Sequence, residues 1–126
     1  MSLNPQILVA ESNSIIATDI QCLLTNWGFN PPDIANSVDM TFESIKHRQP
    51  DLIVMGTQLK DNEDSLRLAT WINKTYKVPM IVLVVLNSDK VREQIRSLNS
   101  FYCLSEPFDS EELRTLVKRA LRERRN

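Results

Sequence analysis

The residues able to do chemistry in this chain sit at the ends of short apolar runs. One run, Asp51 to Met55 (DLIVM), is introduced by Pro50 and closed by Gly56. Its length and lack of alternation suit a strand buried on both faces at the centre of a parallel sheet. Reacting groups and ligands gather outside the carboxyl ends of such strands, so the residue after Met55 is the first place to look for a functional side chain. That residue is Gly56, one of only 2 glycines in the chain. Such scarcity argues against a Gly-rich phosphate loop. The turn after the first apolar run, Glu11-Ser12-Asn13-Ser14, is likewise short and acidic. His47, the sole histidine, lies beside Lys46 and Arg48 with no Ser, Cys or Asp arrangement suited to catalysis, and reads as a solvated surface residue. Cys22 and Cys103 are too few for a disulfide framework and match no metal-ligand spacing, which leaves two buried, reduced thiols as the expectation. Lys118, Arg119, Arg122, Arg124 and Arg125 near the carboxyl end complement a helix dipole without any partner. Trp71 and Tyr76 read as packing residues.

Composition narrows the classes further. At 126 residues the chain holds one domain with a real core. A net charge of −1 gives no overall field for nucleic acid or an acidic membrane. No apolar run approaches the roughly twenty residues that cross a bilayer, and the amino terminus lacks the basic-then-apolar form of a signal peptide. The expectation is a cytoplasmic domain over 1–126, with 1–5 as a leader and 124–126 as the start of a linker or tail.

The elements that position these residues follow from periodicity. Strands are expected at 6–10, 33–37, 51–55, 79–86 and 101–105. Helices are expected through Ile16, Ile20, Leu23, Leu24 and Trp27 with a stop at Gly28; from a cap at Asp39 through Phe42 and Ile45; and through Leu66, Ala69, Ile72 and Tyr76. Two more run from Ser88 through Val91, Ile95 and Leu98, and through Leu113, Leu116, Val117, Ala120 and Leu121 behind an Asp109/Glu112 capping box. Strict βα alternation with short connections implies an α/β, doubly wound parallel sheet, because parallel strands need crossover helices.

With these elements in place, the chain resembles the receiver domains of two-component response regulators. The resemblance rests on QILVAES, QPDLIVMGTQL, VPMIVLVV and CLSEPFDSEELRTLVKRAL, in order and at the expected separations. It implies a flavodoxin-like fold of five strands in order 2-1-3-4-5 with five helices. It also implies a pocket in which an aspartate ending the third strand accepts a phosphoryl group. Two acids after the first strand hold Mg²⁺, a Ser or Thr ends the fourth strand, and a Lys before Pro ends the fifth.

Carried over position by position, the resemblance gives a depleted site. The acid pair falls on Glu11 and Ser12, the acceptor on Gly56, the Ser/Thr on Val84, the Lys on Glu106 before Pro107, and the mobile aromatic on Cys103. Glu11 alone keeps a metal-ligand side chain, so Mg²⁺ binding is expected to be weak or absent, and no other metal or cofactor is expected. Gly56 reads as what remains once the aspartate has ceased to matter. The leading expectation is a non-enzymatic pseudo-receiver acting by protein contact, through residues 88–98, 101–105 and 109–123, the face through which family members also pair as homodimers. Nucleic acid would be reached only through a separate effector domain. Two alternatives remain open: a phosphorelay receiver using Asp61 or Asp64, and a flavodoxin-like cofactor binder.

Overall fold

Short apolar runs pair in parallel, and amphipathic helices cover both faces of the sheet they form. The structure is a computed structural model and describes residues 4–56, 65–85, 93 and 101–124. In chain order the elements are β1 (Ile7–Ala10), α1 (Ser14–Asn26), β2 (Asp33–Ala35), α2 (Val38–His47), β3 (Leu52–Gly56), α3 (Ser65–Tyr76), β4 (Met80–Val85), β5 (Phe101–Glu106) and α4 (Ser110–Arg124). The sheet is 5-stranded, in order β2-β1-β3-β4-β5, with every pairing parallel. The fold is the flavodoxin-like one expected. The helix expected through Val91, Ile95 and Leu98 lies outside the described residues.

Side-chain alternation along the strands divides the core in two. Ile7, Val9, Leu52, Val54, Ile81 and Leu83 face α1 and α4, meeting Ala17, Ile20 and Leu24 from one helix and Leu113, Val117 and Ala120 from the other. Leu8, Ala10, Ile53, Met55, Met80, Val82 and Val84 face the opposite layer, where α2 and α3 supply Ile45, Leu68, Ala69 and Ile72. Each fully buried aliphatic side chain contributes about 1.5–3 kcal/mol relative to exposure, so among the described residues burial stabilisation is concentrated in β1, β3 and β4. Arg114 of α4 lies 5.8 Å from the Trp27 ring at the end of α1 and joins the two helices on that layer.

Local signals account for the boundaries, with some corrections. Asn13 caps α1, its side-chain oxygen accepting from the Ile15 and Ile16 amides at 3.0 and 3.3 Å. Gly28, at φ 98°, ends that helix where the sequence placed the stop. The cap of α2 is Ser37, accepting from the Met40 amide at 3.1 Å; Asp39 sits inside the first turn, where its charge suits the dipole. Asp109 caps α4, but its Oδ1 accepts from the Glu111 amide at 3.0 Å. β2 closes at Ala35 because α2's cap follows two residues later. β3 runs one residue beyond Met55 to include Gly56. Cys22 is exposed and Cys103 half-buried, not the pair of buried thiols expected; Cys22 falls on the outer face of α1, three positions from neither Ala17 nor the Ile20 stripe.

Candidate functional site

The carboxyl ends of β1 and β3 bring two of the candidate residues into contact. Ala10 is opposite Met55 in the β1–β3 register, so Glu11 and Gly56 form the next pair along. Both continue the alternation of the face toward α1 and α4, set by Ile7 and Val9 on one strand and by Leu52 and Val54 on the other. The consequence is a close approach. A Cβ built on Gly56 would meet the Glu11 carboxylate, with Oε1 nearest, Cδ at 3.0 Å and Oε2 at 3.3 Å. Any side chain at residue 56 would therefore enter the space that the Glu11 carboxylate fills.

Glu11 is held there from several sides. It is only 6% exposed. Its Oε2 accepts from the Asn13 amide at 2.8 Å, and its own amide donates to the Ala35 carbonyl at 2.9 Å. The carboxylate thus lies beside the first turn of α1, where partial positive charge favours an anion. Gly56 is itself buried and registers with Leu83 of β4. Residue 12, the second acid position of the resemblance, is an exposed serine.

The remaining candidates are distributed differently. Val84 is fully buried on the other face of the sheet, in the cluster beneath α2 and α3. Cys103 packs against the same cluster, whereas Tyr102 packs on the α1/α4 side. Glu106 ends β5 in register with Val85; its side chain, like Asp61 and Asp64, lies outside the described residues. His47 is exposed at the end of α2. No group of three or more His, Cys, Asp or Glu that could hold a metal ion stands among the described residues.

The sequence reading missed that Glu11 fills the space above Gly56, and missed the Asn13 amide that holds it. The available signal was the pairing of an acid longer than aspartate at one strand end with an absent side chain at its neighbour's. Tyr102, one residue before Cys103 and on the opposite face of the sheet as expected from the alternation, makes a contact that the sequence reading did not foresee. Its hydroxyl donates to Glu123 Oε2 of α4. Burial, then that hydrogen bond and the Glu123 charge, push the phenol up to about 12, with Arg119 pulling the other way. Trp71, 49% exposed, meets Phe42 and Tyr76 edge-on at 5.5 and 6.0 Å, a rim on the α2/α3 layer.

A doubly wound sheet in this strand order, with an acidic turn after β1 facing the end of β3, agrees with the receiver-domain resemblance. Residues 7–118 match the response regulator receiver domain model, and the chain belongs to that family. It is 29% identical over 120 residues to the probable transcriptional regulator ycf29 of Porphyra purpurea, a match covering 94% of this chain and 56% of that protein. The chain therefore spans little more than half the length of that relative. The receiver domain of NtrX from Brucella abortus superposes with a TM-score of 0.85 at 21% identity, over 93% of this chain and 98% of that one. The anti-anti-sigma factor PhyR from Bartonella quintana gives 0.83 at 21% identity, over 100% of this chain and 51% of that one. At such identities the likeness concerns the fold. No helix among the described residues is long and apolar enough to cross a membrane.

Proposed function

We propose that this receiver domain signals by protein contact and takes no phosphoryl group at the family's usual site. The carrying observation is Gly56: at the end of β3 there is no carboxylate to act as nucleophile. The types at the other positions support the same reading. Val84 is apolar and packed away on the opposite face. Glu106 would bring negative charge where an incoming phosphoryl group needs a cation. Ser12 leaves Glu11 as the single ligand-type side chain of the acid pair, too few hard oxygens for tight Mg²⁺ binding.

In this reading the domain is cytoplasmic and non-enzymatic. Its partner surface is the face built from residues 88–98, 101–105 and 109–123. The described part of that face carries a groove of about 370 Å³ lined by Cys103, Leu104, Glu111, Thr115, Leu116 and Arg119. Its mixture of an apolar floor with acidic and basic rims suits a protein segment, either a partner's or a second copy's.

An amide NMR titration with Mg²⁺, followed by Mg²⁺ with beryllofluoride as a phosphoryl mimic, tests the proposal. The expected result is that resonances near residues 11, 56, 84 and 106 stay in place. Joint movement of these with resonances of residues 88–105 would mean that another carboxylate, Asp61 or Asp64 first, still drives a phosphoryl switch.

A further inference from the structure

We infer that the Glu11 carboxylate is a built-in occupant of the acceptor position, and that Gly56 is the residue that admits it. The reference to an acceptor position rests on the reading of residue 56 given above; the packing relation between the two residues does not. The register places Glu11 directly beside Gly56 on one face of the sheet. The carboxylate is buried, and it occupies the volume that a side chain at 56 would need. Gly56 is thus a close-approach glycine, and the group approaching it belongs to the same chain.

This gives the site a structural consequence. One residue links three elements: the Glu11 backbone amide donates to the Ala35 carbonyl at the end of β2, its side-chain Oε2 accepts from the Asn13 amide at the start of α1, and its carboxylate lies over Gly56 at the end of β3. In an open pocket, an incoming anion would bind between these elements and bias their arrangement. Here an internal anion already lies there. An external ligand must first displace Glu11 before it can favour one state over another. The pocket is self-occupied, and the β1–α1 turn is tied to that occupant through the Asn13 amide.

The two residues should therefore be energetically coupled, which a double-mutant cycle on the whole chain reads directly. Gly56→Ala adds one methyl group in the space of the carboxylate and should lower Tm by about 5 °C or more. In a Glu11→Ala background that space is open. There, Gly56→Ala should change Tm by no more than about 2 °C, or raise it, because replacing a strand glycine reduces the entropy lost on folding. The Asn13 amide resonance supplies a second readout: Gly56→Ala should shift it in the Glu11 background and leave it unchanged in the Glu11→Ala background. If Gly56→Ala alone does not fold, folding of the double variant establishes the same coupling. Additive Tm changes, or loss of folding in both backgrounds, would overturn the inference. Exposing the wild-type chain to an acyl phosphate donor with Mg²⁺ separates the two claims. Hydroxylamine-labile phosphate on the protein would sink the phosphorylation-independent reading, while the Glu11–Gly56 coupling would stand or fall on the cycle.

Discussion

In the proposed reading Gly56→Asp would put a carboxylate at the acceptor position, and the packing around Glu11 predicts that it weakens the fold. The Cβ position lies 3.0 Å from Glu11 Cδ, well inside the roughly 3.5–4.0 Å of an ordinary carbon contact. Glu11 must move, and its movable end is tied to the Asn13 amide at 2.8 Å. Losing a hydrogen bond to a charged group costs about 1.5–3 kcal/mol. Two carboxylates about 4 Å apart repel by roughly 4 kcal/mol at an effective dielectric near 20, a cost reduced by separation or by proton uptake. Replacing glycine in a strand returns about 0.5–1 kcal/mol.

The balance is a loss of about 2–5 kcal/mol from a domain whose class has roughly 5–15 in hand. In urea this moves the unfolding midpoint down by about 1–3 M. The deficit should be largest at neutral pH and shrink as pH falls toward about 4, where the new carboxylate takes up a proton. The assay is urea unfolding at several pH values, with a phosphate-incorporation assay in parallel. A midpoint within about 0.3 M of wild type, together with hydroxylamine-labile phosphate on the variant, would refute the reasoning.

Two further outcomes follow from local geometry. Tyr102 is raised from the usual 10.0 to about 12, by burial first and then by Glu123. The stabilisation that depends on its neutral hydroxyl is therefore complete below pH 10.0 and lost as pH rises toward about 12. A tyrosinate absorbance titration should show one late step that Tyr102→Phe abolishes and Glu123→Gln moves earlier; an unchanged curve in Tyr102→Phe assigns the late step elsewhere. Lys77 has φ 59° just after α3, with its amide donating to the Asn73 carbonyl at 2.8 Å. A left-handed conformation costs a residue with a Cβ about 1–2 kcal/mol, of which glycine's extra chain entropy takes back about 0.5–1. Lys77→Gly should accordingly raise thermal stability by up to about 1.5 kcal/mol, and a drop in Tm would contradict that account.

The sequence by itself determined the architecture, for reasons visible in particular residues. Runs such as LIVM and MIVLVV are too apolar and too short for anything but strands buried on both faces. The Ile20–Leu24 and Leu113–Val117–Ala120 stripes repeat at helical spacing and oblige the helices to cover the sheet. Gly28 marked its helix end because positive φ there is a local requirement. Caps were less legible: Ser37 and Asp39 are both good cap types, and the choice depends on where the preceding strand releases the chain. Cys22 was misplaced because a small apolar thiol carries no periodic signal of its own.

At the site, the sequence supplied the residue types at the positions the resemblance marks, Gly56, Val84 and Glu106, without coordinates. Only the tertiary structure decided what lies against Gly56. Glu11 and Gly56 are 45 residues apart in the chain, and their contact depends on the parallel register of β1 with β3, which puts both on one face of the sheet. A shift of one residue would turn Glu11 toward the opposite layer and leave an empty space above Gly56. Register is fixed by the packing of the whole core, and that is why the occupant of this pocket could not be read from either residue alone.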